Sequence, residues 1–322
     1  SRFNNSLVSA ELRRLLKHLL EGNQIDTALK LIKIITETKG EKEKVFNTIN
    51  AKAIIDIHWL KKLIKENISL IIKKCPKRTI NIVSQNLIKA IEIEHKSTNG
   101  KVYRDGSYIW RPAIEEHTQN SRLPGIKEIL VIFIRDILVD MIKKGDNAEG
   151  IIKDFINHKI PIFRRLAIFI FTEFTGEFKN MIENEFLKDE KIFSDPSIHH
   201  ELYRFIKIRF KNLSEDSQTF ILDSIKKGPE SISSGVKDKE RRINIWKQRW
   251  LTTLEGQGVR EAEALLVNLK KKTGIKIGHP DFQVYSETRW GEKIPISVKG
   301  ILEKDNKEIA KYLKEFKETG NF

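Results

Sequence analysis

The chain has a single cysteine, Cys75, among 322 residues, which excludes an internal disulfide and any metal site built from several thiolates. Long apolar runs are missing too. The most apolar stretch, Ile129 to Met141, is interrupted by Arg135 and Asp136 and falls short of the roughly 20 residues a membrane helix needs. Nothing at the N-terminus reads as a secretory signal. These absences predict a soluble, cytoplasmic protein without a membrane partner. The motifs of common active sites are also lacking. There is no GxxxxGKS/T phosphate loop, no GxSxG elbow and no cysteine–histidine pair at informative spacing, so no catalytic residue and no cofactor is assigned. With Ser1 first and Met141 and Met181 its only methionines, the chain is expected to be an excerpt of a longer one. Catalytic parts and the surfaces for oligomerisation would then lie outside it.

What is present is lysine, glutamate, isoleucine and leucine, with only 17 glycines and 8 prolines, a composition suited to helices. The net charge of +15 is uneven. Residues 1–100 hold 19 Lys/Arg against 10 Asp/Glu, residues 101–220 balance at 19 against 19, and the remaining excess follows residue 220. A basic end beside a neutral middle suits nucleic acid or an acidic protein partner.

Apolar residues recur at helical spacing along most of the chain. Residues 6–21 and 24–38 read as an antiparallel helix pair turning at Gly22-Asn23 and ending at Gly40, followed by a polar loop over 41–50. A long helix is predicted from Ala51 to Lys74, ended by Cys75-Pro76, and another over 77–95. The stretch at about 96–124 breaks the rhythm and reads as a long ordered loop pinned by Tyr103, Tyr108, Ile109 and Trp110. Helices resume at 125–144, 147–157, 161–174, 176–187, 196–211, 215–227, 237–254 and 257–272. A second nonhelical segment covers about 273–300, and a capping helix at 305–317 carries Ile309, Leu313 and Phe316. No convincing period-two strand stands out. The expected fold is all-α, an irregular HEAT-like α-solenoid with two long loops and a C-terminal cap. Its regions would be basic N-terminal repeats (1–97), an aromatic and acidic loop (98–124), central repeats (125–272), and a C-terminal loop with its cap (273–322).

The stretch Ile160 to Phe174, IPIFRRLAIFIFTEF, organises this reading. Pro161 suits a first helical turn, and the residues after it are apolar almost all round, as in a helix sandwiched between others. Arg164 and Arg165 stand about 100° apart on that helix, so at least one faces packed surface and needs carboxylates or carbonyls there. The near candidates are Glu115 and Glu116, beside Trp110, Arg111 and His117; an ion pair would tie the 96–124 loop to the helix.

Other candidates are surfaces. Lys61, Lys62, Lys65, Lys73, Lys74, Lys77 and Arg78 form a basic cluster interrupted only by Glu66, offering phosphate contacts to a nucleic acid. Trp246 and Trp250, flanked by Arg242 and Arg249, share a helix face; such a pair is usually core, and if exposed it is a hot spot for a protein partner. His199 and His200 are adjacent and so cannot chelate one metal as an i,i+4 pair does; they read as surface or packing residues, and no metal site is expected. Pro280, Asp281, Glu287 and Arg289 resemble an acidic nuclease centre only superficially, because Glu292-Lys293 lacks the spacer of that motif. Phe282, Tyr285 and Trp290 read instead as anchors of the C-terminal loop.

Four segments carry a family resemblance: YIWRPAIEEHTQN (108–120), HKIPIFRRLAIFIF (158–171), IWKQRWLTTL (245–254) and GHPDFQVYSETRWGEKIPISVKGI (278–301). Together they resemble the C-terminal helical region of large bacterial antiviral ATPases of the STAND, or NACHT-like, class. The resemblance implies a sensor that binds a phage component and so releases a nucleotide-binding core to oligomerise. The expected activity is therefore noncatalytic recognition of a phage or partner protein. The alternative is a nucleic-acid-binding module using the basic N-terminal surface.

Overall fold

The computed structural model describes residues 6–43, 48–96, 106–229 and 239–285, together with Asp305, Glu308 and Ile309. Residues 1–284 make one compact unit and 285–322 a second.

The first unit begins with α1 (Ser6–Glu21) and α2 (Ile25–Ile35), an antiparallel pair whose turn places Asn23 in the left-handed region. A hairpin follows where a loop and the start of a helix are expected. Strands β1 (Thr38–Lys42) and β2 (Ile49–Ala53) pair antiparallel, Thr38 opposite Ala53 and Lys42 opposite Ile49. The expectation of a helix beginning at Ala51 is thus corrected. Its true start is Asp56, whose side chain accepts from the backbone of His58 and Trp59 and caps α3 (Ile57–Lys74). Gly40 does not end the unit; it lies inside β1 where Ile49 and Ile93 crowd in. A Cβ there would sit 2.9 Å from Ile49 and 3.2 Å from Ile93.

After α4 (Pro76–Lys96) comes α5 (Ser107–Trp110), a single turn leading into an irregular strap that runs to α6 (Ile126–Lys143). The strap is pinned differently from expectation. Ile109 points outward, 60% exposed, whereas Ala113 and Ile114 are fully buried. Trp110 is half-buried, with the Lys127 ammonium 4.4 Å from its ring centre, and Tyr103 lies outside the described residues.

Next are α7 (Glu149–Ile156) and α8 (Pro161–Glu173), with Pro161 in the first turn as expected. From Ile162 to Thr172 every side chain of α8 except Arg164 is buried, so it is the central helix its composition suggests. A short α9 (Lys179–Met181) continues into a π-helical turn at Ile182–Phe186, where a regular helix over 176–187 is expected. Asp195 caps the 3-10 turn that opens α10 (His199–Arg209), and Ser214 caps α11 (Glu215–Lys227). The unit closes with α12 (Lys239–Leu251) and α13 (Arg260–Thr273), then irregular chain.

The described residues are mostly helical, with thirteen α-helices and one two-stranded sheet among them. None of these helices is long and apolar enough to cross a membrane. Helices pack on near neighbours: α1 on α2 and α3, α4 and α3 on α6, α8 on α7 and α10, and α12 on α13. A continuous core runs from Leu16 and Ile32 through Phe133, Phe163 and Phe171 to Phe205 and Trp250.

In the second unit, Asp305 accepts from the Glu308 backbone while the Glu308 side chain accepts from the Asp305 backbone. This reciprocal pair has the form of a capping box, and Glu308 and Ile309 are helical, within the range expected for the capping helix. Leu313, Phe316 and the rest of the expected cap lie outside the described residues, as do Glu287, Arg289 and Trp290 of the expected loop.

Candidate functional site

Two features stand out by their chemistry: a buried charged junction at the N-terminus of α10 and an open groove between α3 and α6.

The junction starts from Arg165. It is fully buried on α8, where an arginine cannot shed its charge, so a carboxylate must meet it. That carboxylate is Glu201, on the first turn of α10 and 1% exposed. The contact is two-pronged, Nε to Oε2 and Nη2 to Oε1, both at 2.8 Å. Arg165 Nη2 also donates to the Pro112 carbonyl, and Glu201 Oε1 accepts from the Ile114 backbone. The pair thereby holds the strap by its main chain.

The expected pairing of Glu115 or Glu116 with Arg164 or Arg165 does not form, and the reason is geometric. Other cations hold both strap carboxylates. Glu115 meets His200 at 2.8 Å and Arg204 at 3.5 Å. Glu116 meets Arg135 at 2.7 Å and Arg111 at 3.6 Å. Arg164, at the edge of the helix, pairs with Asp195 at 3.0 Å. The strap is tied to the central helix, but through backbone groups.

His199 and His200, read from sequence as surface or packing residues, are both buried and reach in different directions. His199 Nε2 donates to the Pro280 carbonyl at 2.8 Å, and its ring lies edge-on to Trp250. His200 donates from Nδ1 to the Asp281 carbonyl and from Nε2 to Glu115, while Phe282 stacks on its ring at 4.2 Å. Two adjacent side chains therefore clasp one remote segment, and one of them also clasps the strap. Phe282 is a buried anchor, as expected.

Electrostatics follow this geometry. Burial works against an ionised Glu115, but the hydrogen bond and charge of His200, with Arg204, outweigh it and hold the carboxyl down at about 2. Burial also opposes a charged His200. The bond to Glu115 and the charges of Glu201 and Glu115 overcome that and raise it above the ordinary histidine value. For His199 burial wins: assisted by Arg249 and His200, and opposed by the bond to Pro280, it lowers the group to about 4. Neighbouring histidines are thus set apart, His200 shifted towards the protonated form and His199 towards the neutral ring.

Ligand atoms of Glu115, His200 and Glu201 lie within 4.8 Å of one another, a grouping the separate reading of 115–117 and 199–200 does not bring together. They fit a metal ion poorly. Glu201 gives both oxygens to Arg165, and His200 gives Nε2 to Glu115. The guanidinium already supplies the positive charge that a metal would bring. The arrangement joins these charges to one another through direct hydrogen bonds.

The other predicted site residues divide. Trp246 and Trp250 do share a face of α12, with ring centres 6.2 Å apart. Trp250 is fully buried against Phe193, His199 and Tyr203, the core placement usual for such a pair, while Trp246 is half-buried. Arg249 is half-buried and reaches Gln283, and Arg242 is exposed. Pro280 and Asp281 present their carbonyls to the two histidines, which is a structural use.

All seven basic-cluster residues are exposed. Arg78 pairs with Asp26 at 2.7 Å, and Lys74 donates to Asn23. Lys61, Lys62 and Lys65 have a different setting. They edge a groove of about 710 Å³ whose floor is Ile64, Ile68, Ile129, Ile132 and Phe133, with His58 and Asp136 at its margins. The groove went unseen in the sequence because α6 is apolar on nearly every face, so its run gives no sign that Ile132 stays open beside α3. Compared against protein-family models, curated proteins and solved structures, the chain matches none.

Proposed function

We propose that this chain is a noncatalytic recognition module. Its helices form an irregular HEAT-like solenoid that works in the cytoplasm as the sensor portion of a bacterial antiviral ATPase of the STAND class, binding a phage or partner protein. The observation that supports this reading best is the α3–α6 groove, where apolar side chains and exposed lysines adjoin at the surface. Protein recognition draws on that combination, with apolar anchors for affinity and charge for orientation. The junction at α10 is consistent with the same role. Its arginines, carboxylates and histidines are engaged with one another and with backbone carbonyls, which keeps a recognition surface rigid.

Plating efficiency on bacteria carrying the full-length gene tests this. Phage should plate less well on them than on cells whose gene lacks the region encoding this chain. A photoreactive residue in place of Ile68 should form an infection-dependent adduct with one phage-encoded protein. Equal plating across a phage panel, with no such adduct, overturns the reading.

The second reading, nucleic-acid binding, rests on the exposure of all seven basic residues. A salt titration with a single-stranded oligonucleotide separates the two. A steep logarithmic slope of several ions favours nucleic acid, and no binding at low salt removes it.

A further inference from the structure

We infer that the α3–α6 groove takes an acidic amphipathic helix from a protein partner, a proposal that rests on the recognition reading and names the chemistry of what is recognised. From His58 to Ile68 the α3 wall extends ten helical steps, about 15 Å at helical rise, and Ile129 to Asp136 gives the facing wall about 10 Å. That length suits two to three turns of a docked helix, which would present apolar side chains at i, i+3 or i+4, and i+7 to the floor.

The floor accepts such a row. Ile68 and Ile132 are only partly covered, and beneath them Ile64, Ile129 and Phe133 belong to the buried core. The base of the groove is therefore firm, and docking needs no repacking.

Charge selects the occupant. Lys61, Lys62 and Lys65 are exposed along one rim and have no acidic partner among the described residues. Two arginines of this end are instead paired, Arg13 with Glu66 and Arg78 with Asp26. Lys62 lies 5.4 Å from the centre of the Trp59 ring, which leaves its ammonium at the groove edge. On the opposite margin Asp136 is already held by Arg135 at 2.8 Å, so it adds little negative field of its own. A helix with one apolar stripe and carboxylates flanking it would meet three ammonium groups that have no acidic partner among the described residues, while a basic or neutral helix would leave them without one.

Polyanions without apolar side chains match the rim but leave the floor wet. Nucleic acid is therefore the outcome against which the test discriminates.

The probe is a fluorescein-labelled 14-residue peptide with leucine at positions 1, 4, 5, 8 and 12 and glutamate or alanine elsewhere, followed by anisotropy with the full chain. Controls are an oligoglutamate of equal charge and an oligothymidylate. The peptide should bind at about 100 μM or better and the two controls should not compete. Both the triple reversal Lys61→Glu, Lys62→Glu, Lys65→Glu and the floor variant Ile132→Glu should weaken binding at least roughly tenfold. The lysine variant alters only exposed side chains, and circular dichroism with an unchanged melting curve confirms that each variant is folded.

Absence of binding at about 100 μM overturns the proposal. So does equal binding of oligoglutamate or oligothymidylate, and so does indifference to Ile132→Glu. If the peptide fails while phage plating still depends on this region, the recognition reading stands and the acidic helix does not.

Discussion

Replacing Arg165 and Glu201 singly and together gives the most direct check on the α10 junction. Both side chains are essentially without solvent contact and meet through two 2.8 Å hydrogen bonds. Arg165→Met leaves a buried carboxylate without its cation, and Glu201→Leu leaves a buried guanidinium without its anion. Each is expected to cost about 3–5 kcal/mol. The double variant removes both charges and leaves only two backbone groups without their partners, the Pro112 carbonyl and the Ile114 amide. At about 1–3 kcal/mol for each, it should lose about 2–6 kcal/mol, clearly less than the two singles summed. Urea unfolding of all four proteins measures the coupling, and proteolysis within 106–124 reports whether the strap comes loose. Additivity to within about 0.5 kcal/mol would show that the two groups do not interact. Single losses below about 1 kcal/mol would show that the pair behaves as a solvated one.

Two further outcomes follow from the same region. His200 is raised in the folded protein, so its contribution is fully present below the ordinary value of 6.5 and is lost as pH rises through the folded value; His200→Gln should flatten that alkaline limb of the urea midpoint, and an unchanged slope refutes the assignment. His199 is lowered to about 4, so stability is lost as pH falls from 6.5 towards 4, where the unfolded chain binds the proton first; His199→Gln, which can still donate to Pro280, should flatten that acid limb. Trp250 is fully buried with its indole N–H unpartnered, so Trp250→Phe should cost about 1 kcal/mol and Trp250→Ala about 3–5 kcal/mol; equal costs would mean that ring packing does not set its contribution.

The helices were legible because their signals are local. Pro161, Asp195-Pro196, Ser214 and the Cys75-Pro76 step mark helix ends that backbone chemistry alone decides. The β1–β2 hairpin was not, because Thr38–Lys42 is almost wholly exposed and has no inward face to impose alternation. The need of Arg165 for a counter-charge was equally legible, being a property of the residue and its helix. Its partner was not, since nothing local separates Glu201 on α10 from Glu115 on the strap; only tertiary packing assigns each acid its cation. The same holds for the histidines, whose carbonyl acceptors lie 81 residues further along the chain.

The sequence separations inside the α10 junction have a kinetic consequence. Ile114 and Glu201 are 87 residues apart, Glu115 and His200 are 85, and each histidine is 81 from its carbonyl. Closing chain segments of that length is entropically slow, whereas helix pairs such as α7–α8 or α12–α13 form from near neighbours. The clasp is therefore expected to close after the rate-limiting barrier. Interactions made on that side of the barrier leave the folding rate nearly unchanged and set the unfolding rate. The two histidines and Glu201 thus act chiefly on how long a folded molecule persists.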